Sequence, residues 1–336
     1  MSGSVGRVRP CQGRGRGFEP RLTLLKRVWF EPNSFLHVCK RKERMVEIMN
    51  MKTKYKGIFF IVMSAFFFAL MNMFVRLSGD LPSIQKSFFR NAIAFVIAAA
   101  AMKRNHIGFS GNKGNRKYLV FRSLFGTLGI LCNFYAVDHL VLADASMLNK
   151  MSPFFAIFFS VIILKEKVKP AQVLIVVTAF IGSLFIIKPT VTNMELVPAL
   201  IGFAGGVCAG LAYTYVRKLS SCGEKGPFIV AFFSGFSCLV TLPFLILDYH
   251  PMSMQQLVML LLAGTAAAGG QFTITAAYSC APAREISVYD YSQILFSAGF
   301  GFLVFGQIPD LFSWIGYVII ISMAVAMFLY NNRENA

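Results

Sequence analysis

From Gly57 onward the chain is a succession of apolar runs, each about the length needed to cross a bilayer. A membrane helix takes roughly 20 mostly apolar residues. Ten such runs follow one another: 57–75, 84–102, 118–137, 143–164, 170–187, 198–216, 227–247, 255–277, 283–305 and 311–330. They are called spans one to ten below. The separators are short and carry glycine, proline and charge, as in LSGDLPS, KEKVK and GQIPD. None is long enough for a soluble domain. Charged residues make up 14% of the chain and the mean hydropathy is +0.61; soluble domains carry roughly 25% charge. The expected fold class is an all-α membrane protein with ten transmembrane helices. The boundary least secure is 255–277, because Gly264, Gly269 and Gly270 could break that helix.

Charge is unevenly spread. Residues 1–56 hold 14 Lys/Arg against 4 Glu, more than half of the net +18. The segment 1–50 reads as a disordered basic arm that cannot bury a core. Three readings compete for it: binding of anionic lipid or nucleic acid, an organelle transit peptide, or an over-extended reading frame. MKTKYKG, after Met49, looks like an ordinary lead-in, which favours the third. Within the body, Lys103, Arg104, Lys113, Arg116 and Lys117, then Lys165, Lys167 and Lys169, then Arg217, Lys218 and Lys225 fall in alternate loops. That asymmetry puts both termini in the cytoplasm, in a bacterial inner membrane.

The two halves of the body correspond. A shift of 140 residues lays LADASMLNKMSPFF on CAPAREISVYDYSQILF, with Ala143 on Ala283 and Ser152 on Ser292. A shift of 141 lays Arg76 on Arg217, and the pair Ala65/Ala69 on Gly206/Gly210. Two repeats follow, 57–188 and 198–330. Five spans is an odd number, so the second repeat enters the membrane from the other side. The result is an inverted repeat of five plus five, an arrangement of many secondary transporters.

The same shift places Lys150 on Asp290. A charge near a membrane helix centre costs about 2.5–3.5 kcal/mol on the insertion scale. Each residue lies about seven positions inside its span, roughly 11 Å at 1.5 Å per residue, and from opposite faces. In a core roughly 30 Å thick they would sit about 4 Å either side of the midplane. They are expected to face one central cavity and to pair directly, through water or through substrate. Asn149 and Ser146 flank Lys150, Tyr289 and Gln293 flank Asp290, and Pro153 should loosen span four near its centre. Asn72, Asn133, Tyr213 and Gln271 are further candidates for substrate binding or coupling. A static ion pair is the plain alternative. Arg122 is expected to snorkel to headgroups, and Lys86 and Arg90 to lie near the outer end of span two.

Other chemistry has little to stand on. The four His lie in loops or the arm with no ligand-spaced pair, and the seven Cys are scattered, so neither a metal nor a cofactor is expected. A lipid-modifying enzyme would need a nucleophile, paired acids at one depth or a metal cluster; a channel would need a continuous polar pore; a scaffold would not need matched charges. There is no P-loop, so energy would come from a gradient, with proton or counter-substrate coupling. The partners expected are a small metabolite and membrane lipid, without nucleic acid; a homodimer stays open.

The chain resembles the EamA-type transporters of the drug/metabolite transporter superfamily over about 57–330. The residues that carry the resemblance are Arg122–Ser123, Tyr135–Ala136, Leu142–Ala145, Ser152–Pro153 and Lys165–Glu166. The second half has Ser292–Gln293 and Gly306–Gln307 where Glu-Pro and Gly-Glu are common in the family. The resemblance implies ten helices, an inverted repeat, a central cavity and transport of small metabolites without ATP hydrolysis.

Overall fold

A computed structural model describes residues 32–109, 111–140, 147–187, 196–306 and 308–333. The chain divides into two units, Met1–Asn50 and Met51–Ala336. The second is an inverted repeat of five plus five spans, and every regular element described in it is helical. Eight spans are long and apolar enough to cross a membrane: Tyr55–Leu77, Lys113–Ala136, Met147–Leu164, Pro170–Ile187, Leu196–Ser221, Gly226–Leu247, Met254–Cys280 and Leu311–Arg333. The other two differ for identifiable reasons. Span two, Ser83–Arg104, carries Lys86, Arg90, Lys103 and Arg104. Span nine is not one helix.

Spans four and nine are both broken, and at corresponding places. In span four the helical residues 147–149 give way to a turn at Lys150 and Met151 before the helix resumes as Ser152–Leu164. Pro153 explains the break. It has no N–H to give, and its ring would collide with the carbonyl four residues back, that of Asn149. In span nine, Ala283–Ile286 runs into a 3-10 stretch, Ser287–Tyr291, and then into the helix Ser292–Phe305. No proline marks this second break, which a continuous span over 283–305 did not anticipate. A mid-span 3-10 stretch of this length is uncommon and often marks a hinge. The expected residues Ser146 and Leu142–Ala145 lie outside the described residues.

The two broken spans also end alike. Ser152–Leu164 closes on Lys165 at φ 57°, and Ser292–Phe305 on Gly306 at φ 63°. Both are left-handed caps of the kind that turns the chain sharply at a helix end. A lysine in that conformation is strained where glycine is not, by about 1–2 kcal/mol.

Span eight is one helix, as the run 255–277 predicts, and its glycines do not break it. Met254–Cys280 runs uninterrupted, opened by Ser253, whose hydroxyl accepts from the Gln256 N–H while the Gln256 side chain accepts from the Ser253 N–H. Its glycines serve close packing instead. A Cβ on Gly270 would stand 2.6 Å from the Phe68 ring, and one on Gly264 would stand 2.6 Å from Ile93 Cβ.

Small residues bring the spans together at matched crossings. Span six packs on spans three and four, span two on seven, and span five on ten. At the crossing of spans three and six, a Cβ on Gly205 would lie 3.3 Å from the Gly129 carbonyl oxygen. At the corresponding crossing of spans one and eight, the Ser64 hydroxyl donates to the Gly270 carbonyl at 3.1 Å. Ser64 precedes Gly205, and Gly129 precedes Gly270, by the same 141 positions. Gly206 and Gly210 hold span six against span four on either side of its break: a Cβ on Gly206 would reach the Leu148 carbonyl oxygen at 2.5 Å, and one on Gly210 the Phe155 Cβ at 2.5 Å. Thr214 adds a hydroxyl bond to the Ala156 carbonyl at 3.3 Å.

Substitution Gly210→Ala should therefore overpack this crossing, at roughly 1–3 kcal/mol. Gly299→Ala, on a helical site with open space around it, should be neutral or slightly stabilising. Thermal unfolding of the two variants in detergent checks this; equal midpoints would contradict the packing described.

Candidate functional site

The two breaks meet. Lys150 leaves its helix at the turn, and its Nζ donates to Asp290 Oδ2 at 3.2 Å, to the Asp290 carbonyl at 3.4 Å and to Gln293 Oε1 at 2.7 Å. In return the Tyr291 hydroxyl donates to the Lys150 carbonyl at 3.1 Å. A break frees backbone carbonyls that need partners in an apolar medium. Here Tyr291 supplies its hydroxyl to the Lys150 carbonyl, and Lys150 reaches the Asp290 carbonyl, which also accepts from the Ser292 N–H. The ammonium has three protons and spends all three on span nine. Lys150 is 8% exposed and Asp290 7%, so the pair is shut in rather than open to a central cavity. A buried pair of this kind gains little over an apolar substitute, but loss of one partner costs about 3–5 kcal/mol because the other is left charged and alone.

Next to this clasp lies a second polar group. Arg122 is 2% exposed; it does not snorkel. Its guanidinium donates to Gln271 Oε1 at 3.2 Å and lies 4.1 Å over the Phe233 ring. Arg90, expected near the outer end of its span, is also buried, at 7% exposure. Tyr213 stacks on Tyr278 with ring centres 5.3 Å apart.

The other expected residues divide. Gln293 joins the clasp and Gln271 links span eight to span three. Tyr289 is buried, and its hydroxyl has no hydrogen-bond partner among the described residues. Asn149 is half-buried beside the turn. Asn133 is half-buried, with its backbone N 3.2 Å from where a Cβ of Gly205 would stand, at the crossing of spans three and six. Asn72 is exposed. Sequence reasoning missed Tyr291, whose position next to Asp290 would turn it away on a continuous helix; the 3-10 stretch changes that geometry. It also undervalued Arg90 and Arg122, although the cost of a lone cation in an apolar span, applied to Lys150, applied equally to them.

No cluster of three His, Cys, Asp or Glu that could hold a metal occurs among the described residues. A cavity of about 320 Å³ opens between the start of span two and the end of span seven, lined by Pro82, Gln85, Phe244 and Asp248 among others. None of its lining residues belongs to the clasp.

Known proteins place this architecture. The family described as the EamA-like transporter family matches twice, at residues 55–188 and 196–329. The pseudopaline exporter CntI of Pseudomonas aeruginosa is 32% identical over 273 residues, covering 81% of this chain and 95% of that protein. A riboflavin transporter of Brucella anthropi is 26% identical over 286 residues, covering 80% of this chain and 95% of that protein. A solved crystal structure shares the fold with a TM-score of 0.74 at 14% identity, over 84% of this chain and 100% of its own. The chain is thus an integral membrane protein and a transporter, and it belongs to the EamA-like family of the drug/metabolite transporter superfamily.

Proposed function

We propose that this chain is a secondary transporter that moves a small polar or amphipathic metabolite across a bacterial inner membrane by alternating access, with both termini cytoplasmic. The observation that carries the reading is the reciprocal clasp: two broken helices, one from each repeat, joined at a buried Lys150–Asp290 pair. Discontinuous helices near the bilayer midplane are where many secondary transporters bind substrate. The clasp is the closed arrangement. Substrate competes for its groups, with Lys150 meeting an anionic part and Asp290 a cationic part or a proton. Tyr213 and Tyr289 close over the substrate, and Gln293, Gln271 and Asn149 offer hydrogen bonds; Asn133 tunes the crossing behind them. Two relatives, a pseudopaline exporter and a riboflavin transporter, support a small organic cargo.

A static brace is the second reading, favoured by the fact that all three ammonium protons are satisfied within the protein. The two differ in what a repaired pair does. In proteoliposomes preloaded with an isotope-labelled bacterial metabolite extract, the wild-type protein should exchange a subset of components with unlabelled extract outside. Lys150→Ala and Asp290→Asn should each lower that exchange at least tenfold in protein that remains monodisperse. Retained exchange in either variant would remove the pair from the mechanism.

The exchanged pair Lys150→Asp with Asp290→Lys should recover most of the thermal stability lost in the single variants, since the opposite charges still meet. It should not recover transport, because the substrate would then face reversed charges. A brace would recover both.

A further inference from the structure

Among the described residues, four side chains that carry a full charge are buried: Arg90, Arg122, Lys150 and Asp290. The clasp neutralises two of them. Arg90 and Arg122 remain, from spans two and three, with no carboxylate paired to either among the described residues. The Nε atoms of both are buried and lack a hydrogen-bond partner among the described residues. The partners of Arg122 are a neutral amide and an aromatic ring. Arg122 lies over Phe233 of span seven, and span two, which carries Arg90, packs on that same span. Arginine cannot shed its charge by losing its proton, and uncompensated buried charge is strongly unfavourable. A fold holds such a pair at a loss unless something bound to it makes up the difference.

We infer that Arg90 and Arg122 form the anion-binding half of the transport site, and that the cargo is a small organic dianion with two carboxylates. A guanidinium is a planar fork whose parallel N–H groups match a carboxylate, and two forks match two carboxylates. A charge of minus two balances the surplus of plus two. The stacked Tyr213 and Tyr278 rings supply a flat aromatic wall, and Gln271, which holds Arg122, lies on the same helix about two turns before Tyr278. An anion drawn to the arginines and passed on to the clasp competes there with Asp290 for Lys150. This inference takes the transporter reading as given for where the anion goes, but binding itself can be measured without transport.

The test uses the purified full-length chain in detergent, with succinate and glutarate as probes. Both should raise the thermal midpoint by about 3 °C or more at millimolar concentration, while dimethyl succinate and putrescine should not. Arg90→Met and Arg122→Met should each abolish the succinate shift. Without ligand, Arg90→Met should unfold at the same temperature as the wild type or higher, because an orphan charge has been removed; a purely structural arginine would give a lower midpoint. A midpoint clearly below wild type in Arg90→Met, no shift with either dicarboxylate, or an equal shift with dimethyl succinate would each overturn the inference. A larger shift with inorganic phosphate than with succinate would overturn the dicarboxylate in favour of a single phosphate group. Exchange of uncharged metabolites that survives in both arginine variants would sink this inference and leave the transporter proposal standing.

Discussion

One ammonium group joins the two halves of this protein. Lys150 Nζ lies 2.7 Å from Gln293 Oε1 and 3.2 Å from Asp290 Oδ2, at the point where a helix of each repeat is interrupted. In an apolar medium a broken helix is tolerable only if its freed backbone groups find partners inside the protein. The Lys150 carbonyl finds the Tyr291 hydroxyl, and the Asp290 carbonyl accepts from Lys150 as well as from the Ser292 N–H. The breaks and the charges therefore meet in one place. Remove one partner of the ion pair and a buried charge is left alone there.

The scaffold around that point is built for close contact. Gly206 and Gly210 bring span six onto span four to within the space of a hydrogen atom, on both sides of the turn at Lys150. Gly205 meets Gly129 where spans three and six cross, and Ser64 and Gly270 make the matching approach of spans one and eight. Such interfaces rely on shape and on weak backbone contacts rather than on bulky interlocking side chains. They suit elements that must slide, because few side chains need to change rotamer. The matched left-handed caps at Lys165 and Gly306 set where each broken span turns back.

Much of this is legible in the sequence, and the rest is hidden for definite reasons. Apolar run length gives the spans, and a shift of 140 brings Lys150 onto Asp290 before any coordinates are known. Pro153 announces the first break. The second break carries no such mark, since Ser287–Tyr291 contains no proline and no glycine; tertiary demand from Lys150 and Tyr291 overrides a sequence that could run as α-helix. Tyr291 is invisible for the same reason. Gly264, Gly269 and Gly270 mislead because glycine signals both a weak helix and a close neighbour, and only the positions of Ile93, Phe67 and Phe68 decide between them. Arg122 was allowed to reach for headgroups because its stem is long enough; burial under Phe233 and Gln271 removes that route.

The central claim, that the clasp is a closed state from which the site opens to either side, is tested most directly by thiol accessibility at its edge. A single cysteine at Gln293, in a chain otherwise free of cysteine, can be challenged in sealed vesicles with an impermeant maleimide from each face in turn. The account predicts reaction from both faces, with transported cargo shifting the balance between them. Reaction from one face alone, or from neither, whatever cargo is present, would contradict it.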